Sequence, residues 1–279
     1  MTAAAVVALA GAGFLVGLLA GLVGIGGGVL IVPFLYFFYA HPVWGGVTFD
    51  PALHATVAHA TSLFIIIPTA IVGTITYSRA GLVSWRAVLP IAAFSLISAV
   101  GGARLATLVP PEMLKLFFGC FLLFTAAQLA AGARRAPVSG PERHSLPVSA
   151  LTGLAVGVFS AMLGVGGGLV AIPLLLYVMR MDLTRVAATS LAIVVFAATS
   201  GTITYMLTGA ELPGLPPGHV GYVHVAAAIP MIPGAMIAAR WGSKLNQRLD
   251  ATKLRWIFAI LFLIMGLRIA VANLFSLAT

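Results

Sequence analysis

The chain has 279 residues, of which 61% are hydrophobic and only 8% are charged, and its mean hydropathy is +1.12. A soluble domain carries about 25% charged residues, so this composition excludes a soluble protein and indicates an integral membrane protein. The net charge of +9 comes from basic residues scattered between apolar segments, which fits the positive-inside rule better than a nucleic-acid partner. Apolar stretches of about 20 residues predict transmembrane helices and not the alternating strands of a barrel.

The first half begins with a glycine cluster between two apolar segments. Segments 3–22 and 29–40 flank residues 24–28, where four of the five residues are glycine. In a helix interior each glycine costs about 1 kcal/mol relative to alanine, so the cluster predicts a break in a membrane helix. Three further spans are predicted after it, at about 56–77, 87–108 and 113–132.

The second half repeats this order after a polar linker. A second glycine cluster, at 164–168, lies between apolar segments 147–163 and 168–179. Three more spans are predicted at about 186–207, 222–240 and 254–275. We therefore expect three parts, which are a first repeat at 1–133, a cytoplasmic linker at 134–146 and a second repeat at 147–279.

The two halves match residue by residue, which indicates an internal duplication. Gly24 aligns with Gly164 at an offset of 140, and the sequence Gly-Thr-Ile-Thr-Tyr at 73–77 recurs at 201–205 at an offset of 128. Tyrosines are enriched at membrane interfaces, so we expect the tyrosines that end these two segments to be interfacial anchors, with the lining of an exit as the alternative.

Charge decides between two topologies. If each glycine cluster only kinked a crossing helix, the loop with Lys244, Arg248 and Lys253 would lie outside, against the positive-inside rule. If the segments around each cluster form a hairpin, every basic loop except the short one with Lys115 is cytoplasmic. Each half then has one hairpin and three crossings, so the halves are inverted. The prediction is an all-α polytopic membrane protein of two inverted repeats, each with a glycine-broken, re-entrant hairpin plus three transmembrane helices, and with both termini outside.

Two motifs occur once in each half. They are Gly-Leu-Val-Gly-Ile-Gly-Gly-Gly at 21–28 with Pro33, its twin at 164–168 with Pro173, and the Ala-Thr-Ser-Leu segments at 60–63 and 188–191. Through these motifs nearly the whole chain resembles the sulfite exporter TauE/SafE family, also called the 4-toluene sulfonate uptake permease family. The resemblance implies a permease for small sulfur-containing anions such as sulfite or organosulfonates, more often directed outward.

The glycine clusters and the hydroxyl pairs are the candidate binding site. A glycine turn frees backbone N–H groups, and the helix after it presents its positive end, which suits an oxyanion. Hydroxyls donate hydrogen bonds without a charge that would hold the anion too tightly. The alternatives are that the glycines only permit close helix packing and that the hydroxyls bond to neighbouring helices. The predicted substrate-binding residues are Gly24, Gly26, Gly27, Gly28, Thr61, Ser62, Gly164, Gly166, Gly167, Gly168, Thr189 and Ser190.

Two further candidates would act through charge. His59 would titrate and couple proton movement to transport, with a hydrogen-bonded structural histidine as the alternative. Arg268 lies about 14 residues into the last span, deeper than snorkelling explains, and would attract anions or pair across the bundle. All six acidic residues fall in loops or at span ends. That disfavours a cation pump and fits an anion carrier.

These observations predict a secondary transporter that exports small sulfur-containing anions by alternating access in a bacterial-type plasma (inner) membrane. A passive anion channel, or an uptake permease for an organosulfonate or other small organic anion, is the alternative. No nucleotide, metal or hydrolase motif is present, so we expect no enzyme, no catalytic residue, no cofactor and no metal. The expected partners are a small anionic substrate and membrane lipid, and no nucleic acid. The anion, the direction, the coupling ion and the choice between monomer and homodimer stay open.

Overall fold

The computed structural model describes residues 3–23, 26–41, 48–133, 142, 145–246 and 251–278. Nearly all of these residues are helical, and they contain no named strand, only an isolated bridge between Val220 and Val223. The described helices of the first half are α1 (Ala3–Val23), α2 (Gly28–Ala40), α3 (His54–Arg79), α4 (Trp85–Leu108) and α5 (Pro111–Ala133), with a 3₁₀ turn at Pro51–Leu53 before α3. Those of the second half are α6 (Leu146–Leu163), α7 (Gly168–Pro173), α8 (Leu183–Thr208), α9 (Val225–Asn246) and α10 (Ala251–Ala278), and α7 continues as a π-helical turn at Leu174–Val178.

Seven of the described helices, α1, α3 to α6, α8 and α9, are long and apolar enough to cross a membrane. The helix that directly follows each glycine cluster is much shorter. The 13 residues of α2 extend about 20 Å at 1.5 Å per residue, well short of the roughly 30 Å hydrocarbon core. The all-α, polytopic membrane fold predicted from the sequence is confirmed.

The chain reverses direction at each glycine cluster. A Cβ atom at Gly27 would lie 2.9 Å from Cγ1 of Val16 in α1, and one at Gly167 would lie 2.7 Å from Cγ1 of Val156 in α6. In a continuous helix, residues this far apart in sequence would be separated by about 16 Å. Each cluster is therefore the turn of a hairpin and not a kink.

The first helix of each hairpin packs against the other half of the chain. Helix α1 lies on α9, and α6 lies on α4. A Cβ at Gly17 would lie 2.2 Å from the carbonyl oxygen of Ala235, and one at Gly157 would lie 2.4 Å from that of Ser95. The two contacts are equivalent to each other at an offset of 140, so the same glycine-mediated approach occurs once in each half. Small residues let backbones come this close in a membrane, where packing drives helix association.

Helices α3 and α8 form the centre of the bundle. In an apolar 18-residue window of each, 72% and 67% of the residues are buried, whereas the share in the other described spans is at most 44%. The Leu63 side chain lies against Gly201, and the Leu191 side chain lies against Gly73. Since the early part of each helix meets the late part of the other, the two helices are antiparallel. They are also the equivalent helices of the two halves, at an offset of 128.

The tyrosines that end the repeated five-residue segments are not interfacial anchors. Tyr77 and Tyr205 are both fully buried. The Tyr77 hydroxyl donates to the carbonyl oxygen of Gly21 at 2.9 Å, and the Tyr205 hydroxyl donates to that of Ala161 at 2.9 Å. The expectation that they anchor the chain in the lipid interface was wrong, because both side chains are buried and each hydroxyl finds an acceptor in the first helix of its own half's hairpin. These bonds tie α3 to α1 and α8 to α6.

Two contacts show which segments outside the helices lie near each other. The backbone N–H of Asp50 donates to the carbonyl oxygen of Gly214 at 3.3 Å, which joins the two loops that contain no Lys or Arg. At the start of α8, Arg185 forms a 3.1 Å ion pair with Glu142 of the linker. Glu142 therefore lies beside the start of α8, next to the basic 180–185 loop.

Candidate functional site

The two glycine turns lie against each other. A Cβ at Gly28 would lie 2.4 Å from the carbonyl oxygen of Gly164 and 2.6 Å from Cα of Val165. Both neighbours are backbone atoms, which no rotamer change can move aside. Only a residue without a Cβ fits at this approach. The structure thus brings together the two clusters that the sequence places 140 residues apart.

Each turn contains two consecutive residues with a left-handed backbone. The φ angles are 81° and 85° at Gly26 and Gly27, and 80° and 81° at Gly166 and Gly167. A residue with a Cβ pays about 1–2 kcal/mol in this region. Glycine is therefore required by the backbone conformation as well as by the lack of space.

Both turns contain backbone N–H groups without an acceptor among the described residues. Within the part of the chain that the structure describes, the N–H groups of residues 26–28 and 166–168 donate to no acceptor. These residues are all buried. Unpaired buried N–H groups are rare, and these lie where helices α2 and α7 begin, at the positive end of the peptide dipoles. Chemically, the six groups suit a guest that carries negative oxygens.

Two apolar side chains fill the space beside the turns. A Cβ at Gly26 would lie 3.0 Å from Val194 and 3.3 Å from Ile66, and one at Gly166 would lie 2.9 Å and 3.1 Å from the same two side chains. Ile66 and Val194 occupy equivalent positions near the middle of α3 and α8. The two glycine turns therefore share one pair of apolar neighbours.

Ser62 and Ser190 hold the second turn. The Ser62 hydroxyl donates to the carbonyl oxygen of Gly164 at 2.7 Å, and the Ser190 hydroxyl donates to that of Gly168 at 3.4 Å. Both serines are fully buried. Their bonds occupy two carbonyl groups of the turn and none of its N–H groups.

Thr61 and Thr189 satisfy donors at the starts of two helices. Thr61 Oγ1 accepts from the backbone N–H of His224 at 2.9 Å, just before α9. Thr189 Oγ1 accepts from the backbone N–H of Ser84 at 3.1 Å, just before α4. His224 and Ser84 are equivalent positions at an offset of 140. Contact of either threonine with a substrate stays a prediction.

His59 is fully buried and bonded through both ring nitrogens. Its Nδ1 lies 2.8 Å from the carbonyl oxygen of Met162, and its Nε2 is hydrogen-bonded to the Tyr36 hydroxyl. A neutral ring fits both bonds, with Nδ1–H donating to the carbonyl and Nε2 accepting from the tyrosine. Phe118 packs beside the ring at 5.8 Å between centroids. These partners favour the structural alternative for His59, and its role in proton coupling stays a prediction.

Two of the predicted site residues are not described beside the turns. Gly24 falls outside the described residues. Arg268 is exposed on α10, which packs mainly against α5. The structure therefore does not bring Arg268 to the turns. The described acidic residues lie in loops or at helix ends, and among the described residues no cluster of His, Cys, Asp and Glu could hold a metal ion.

Sequence reasoning missed Ser160, which adds a hydroxyl beside the second turn alone. Its Oγ is buried and has no hydrogen-bond partner among the described residues. Its Cβ lies 3.1 Å from the place that a Cβ at Gly167 would occupy. The equivalent residue beside Gly27 is Ala20. A comparison of the two halves at the offset of 140 would have revealed this difference.

It also missed Lys115 and Tyr36. The Lys115 ammonium lies 5.9 Å from the centroid of the Tyr36 ring, within the range of a cation–π contact. The short loop with Lys115 was the one basic loop that the charge-based topology did not place on the cytoplasmic side. That exception was the available signal.

His224 is a second buried histidine, in the loop before α9. Its Nδ1 lies 3.2 Å from the Tyr39 hydroxyl, and its Nε2 has no partner among the described residues. Burial lowers the pKa of His224 from 6.5 to about 4. The ring is therefore neutral at neutral pH.

Comparison with known proteins agrees with a membrane transporter. The family model of the sulfite exporter TauE/SafE matches residues 9–269. The chain is 29% identical over 260 residues to a probable membrane transporter protein of Methanocaldococcus jannaschii, covering 91% of each chain. It is 24% identical over 282 residues to the probable membrane transporter protein YunE of Bacillus subtilis, covering 95% of this chain and 97% of the relative. No solved structure matches.

Proposed function

Because the chain belongs to the sulfite exporter TauE/SafE family of membrane transporters, we propose that it exports small sulfur-containing anions such as sulfite or organosulfonates. It works as a secondary transporter by alternating access. The observation that carries this proposal is the meeting of two glycine turns whose N–H groups have no acceptor among the described residues. Sulfite and sulfonate groups each carry three oxygens, which can accept from several such donors at once.

The surroundings of the turns support an anion as the guest. The described carboxylates lie in loops or at helix ends, so none competes for the N–H groups or repels a negative charge. The buried, unpartnered hydroxyl of Ser160 offers one more neutral donor next to Gly167. Neutral donors bind an oxyanion without the strong attraction of a buried cation, which would hinder release.

Alternating access follows from two inverted repeats, at 1–133 and 147–279, around a shared centre. The antiparallel arrangement of α3 and α8 supports this relation, because they are the equivalent helices of the two halves. Inverted repeats let one set of contacts open to either side in turn. In our proposal the linker at 134–146 is cytoplasmic, both termini are outside, and the protein resides in a bacterial-type inner membrane.

The test is sulfite flux into or out of liposomes that contain the purified protein. Gly27→Leu and Gly167→Leu place a side chain where φ is positive and where Val16 or Val156 already lies. The backbone strain alone, about 1–2 kcal/mol, corresponds to roughly tenfold. We expect each variant to insert and to lose transport by about tenfold or more. Gly11→Leu is the matched control, because nothing lies within 4 Å of a Cβ at Gly11.

The saturation, counter-transport and direction of the flux distinguish an exporter from a passive channel and from an uptake permease. Saturable flux with counter-transport supports a carrier. Flux that does not saturate and shows no counter-transport would identify a passive anion channel, and concentrative inward flux would identify an uptake permease. Normal sulfite and organosulfonate flux in both Gly→Leu variants of the turns would refute the binding site.

A further inference from the structure

A groove distinct from the glycine turns lies between α4 and α8. Its volume is about 320 Å³. Leu96, Val100, Ile203 and Leu207 supply apolar walls. Ile203 is 51% exposed and Leu207 is 73% exposed, so the groove opens to the outer surface of the bundle. In a membrane protein, that surface faces lipid.

The hydroxyl groups in this groove are already bonded. Four residues, Thr199, Ser200, Thr204 and Thr208, line it on the α8 side. Each hydroxyl donates to a backbone carbonyl of α4 or α8, at distances of 2.6 to 2.9 Å. Because these hydrogens are used, the residues present mainly their carbon atoms to the groove. Such a surface suits hydrocarbon better than a small polar anion.

Arg104 is the cation that lines the groove. It lies one turn before the end of α4, about 6 Å from Leu108 along the helix axis. No described acidic residue lines the groove, and no ion pair of Arg104 is present among the described residues. The guanidinium is therefore available to an anionic partner.

The groove has the length and polarity of a lipid site. Bonds from Thr189 to Ser84 and from Ser200 to Leu96 show that α4 and α8 run in the same direction. The apolar walls begin near Leu96 and reach Arg104 after eight residues, about 12 Å of helix. One end is thus apolar at mid-membrane depth, and the other carries a cation near the ends of both helices.

We propose that this groove binds one anionic phospholipid, with an acyl chain along the apolar walls and the phosphate on the Arg104 guanidinium. Guanidinium groups bind phosphate in a bidentate manner, and long basic side chains near helix ends reach the headgroup region. A net negative headgroup is favoured over a zwitterionic one because the groove contributes a cation and no described carboxylate. The site is independent of the substrate and of the direction of transport.

The test measures thermal unfolding of the purified full-length protein in detergent, with added phosphatidylglycerol, phosphatidylcholine or inorganic phosphate. We expect phosphatidylglycerol to stabilise the protein more than the other two. Arg104→Gln should weaken its apparent affinity about fivefold, as expected for one basic residue near a lipid surface. The matched control is Arg240→Gln, which removes another exposed cation, on α9, and should leave the response unchanged.

A second variant keeps the cation and fills the groove. Val100→Phe should abolish the preference for phosphatidylglycerol although Arg104 is intact. Arg104→Lys keeps the charge and should retain most of the preference for phosphatidylglycerol. This variant also shows whether a weaker response in Arg104→Gln comes from the lost charge or from a folding defect. An unchanged phosphatidylglycerol response in Arg104→Gln or in Val100→Phe would overturn the proposal. So would equal stabilisation by inorganic phosphate.

Discussion

The contact between the two glycine turns gives the most direct prediction. In Gly28→Ala, the new Cβ would lie 2.4 Å from the carbonyl oxygen of Gly164 and 2.6 Å from Cα of Val165. An ordinary contact is about 3.4 Å or longer, so the two turns must separate by about 1 Å. Overpacking of this kind costs about 1–3 kcal/mol, and the better helix propensity of alanine returns at most about 1 kcal/mol. We expect a net loss of about 1–2 kcal/mol.

The loss is measurable by thermal unfolding in detergent. For a chain of this size, about 1–2 kcal/mol corresponds to a Tm decrease of roughly 2–8 °C. Sulfite flux should fall as well, because the separation moves the N–H groups of one turn away from those of the other.

Gly101→Ala is the matched control, since no atom lies within 4 Å of a Cβ at that helical position. Its Tm should stay the same or rise, because alanine is the better helix former. A Gly28→Ala protein that unfolds at or above the wild-type temperature and transports normally would refute the reasoning.

Two further predictions concern buried side chains away from the turns. The pKa of His224 is lowered to about 4 from 6.5, so the unfolded chain binds the proton more readily. Stability should therefore be complete above about pH 6.5 and fall towards pH 4, by at most about 3 kcal/mol, and His224→Gln should flatten the difference in Tm between pH 7.5 and 4.5. An identical pH profile in both proteins would contradict this. Tyr77→Phe and Tyr205→Phe each remove one buried bond to a carbonyl and should each lower stability by about 1–3 kcal/mol in thermal unfolding, to a similar extent because the bonds are equivalent. Unchanged Tm values in both would show that these bonds contribute nothing.

The breaks and reversals of the chain were predictable from sequence because they depend on local chemistry. Glycine clusters are costly inside a helix, and the distribution of Lys and Arg distinguishes a hairpin from a kink. The structure shows Gly27 folded back on Val16, as the hairpin requires. The equivalence of the halves was also readable, because identical segments recur at fixed offsets.

The partners of each hairpin were not predictable, because they depend on contacts distant in sequence. Helix α1 packs mainly on α9 and not on α2, its neighbour in the chain. The close approach of Gly17 to Ala235 explains why α1 packs on α9. Small residues are frequent throughout the chain, however, and do not indicate which helix they will contact. Likewise, nothing in the local sequence indicates that Thr61 accepts a bond from His224.

The two halves differ in where they carry extra residues. The offset between equivalent positions falls from 140 at Pro33 to 128 at Thr61 and returns to 140 at Ser84. The connection before α3 is therefore 12 residues longer than its counterpart, and so is the connection before α9. The bond between Asp50 and Gly214 shows that these two insertions meet.

In our proposal, duplication produced two equivalent halves inside the membrane, and insertion made its two faces unequal. In our proposal, the two loops that meet through Asp50 and Gly214 cover one mouth of the protein. Such a cover cannot set the direction of net flux, which follows the electrochemical gradient. It can give the two faces different half-saturating concentrations, so the protein would respond to substrate at different levels on either side of the membrane.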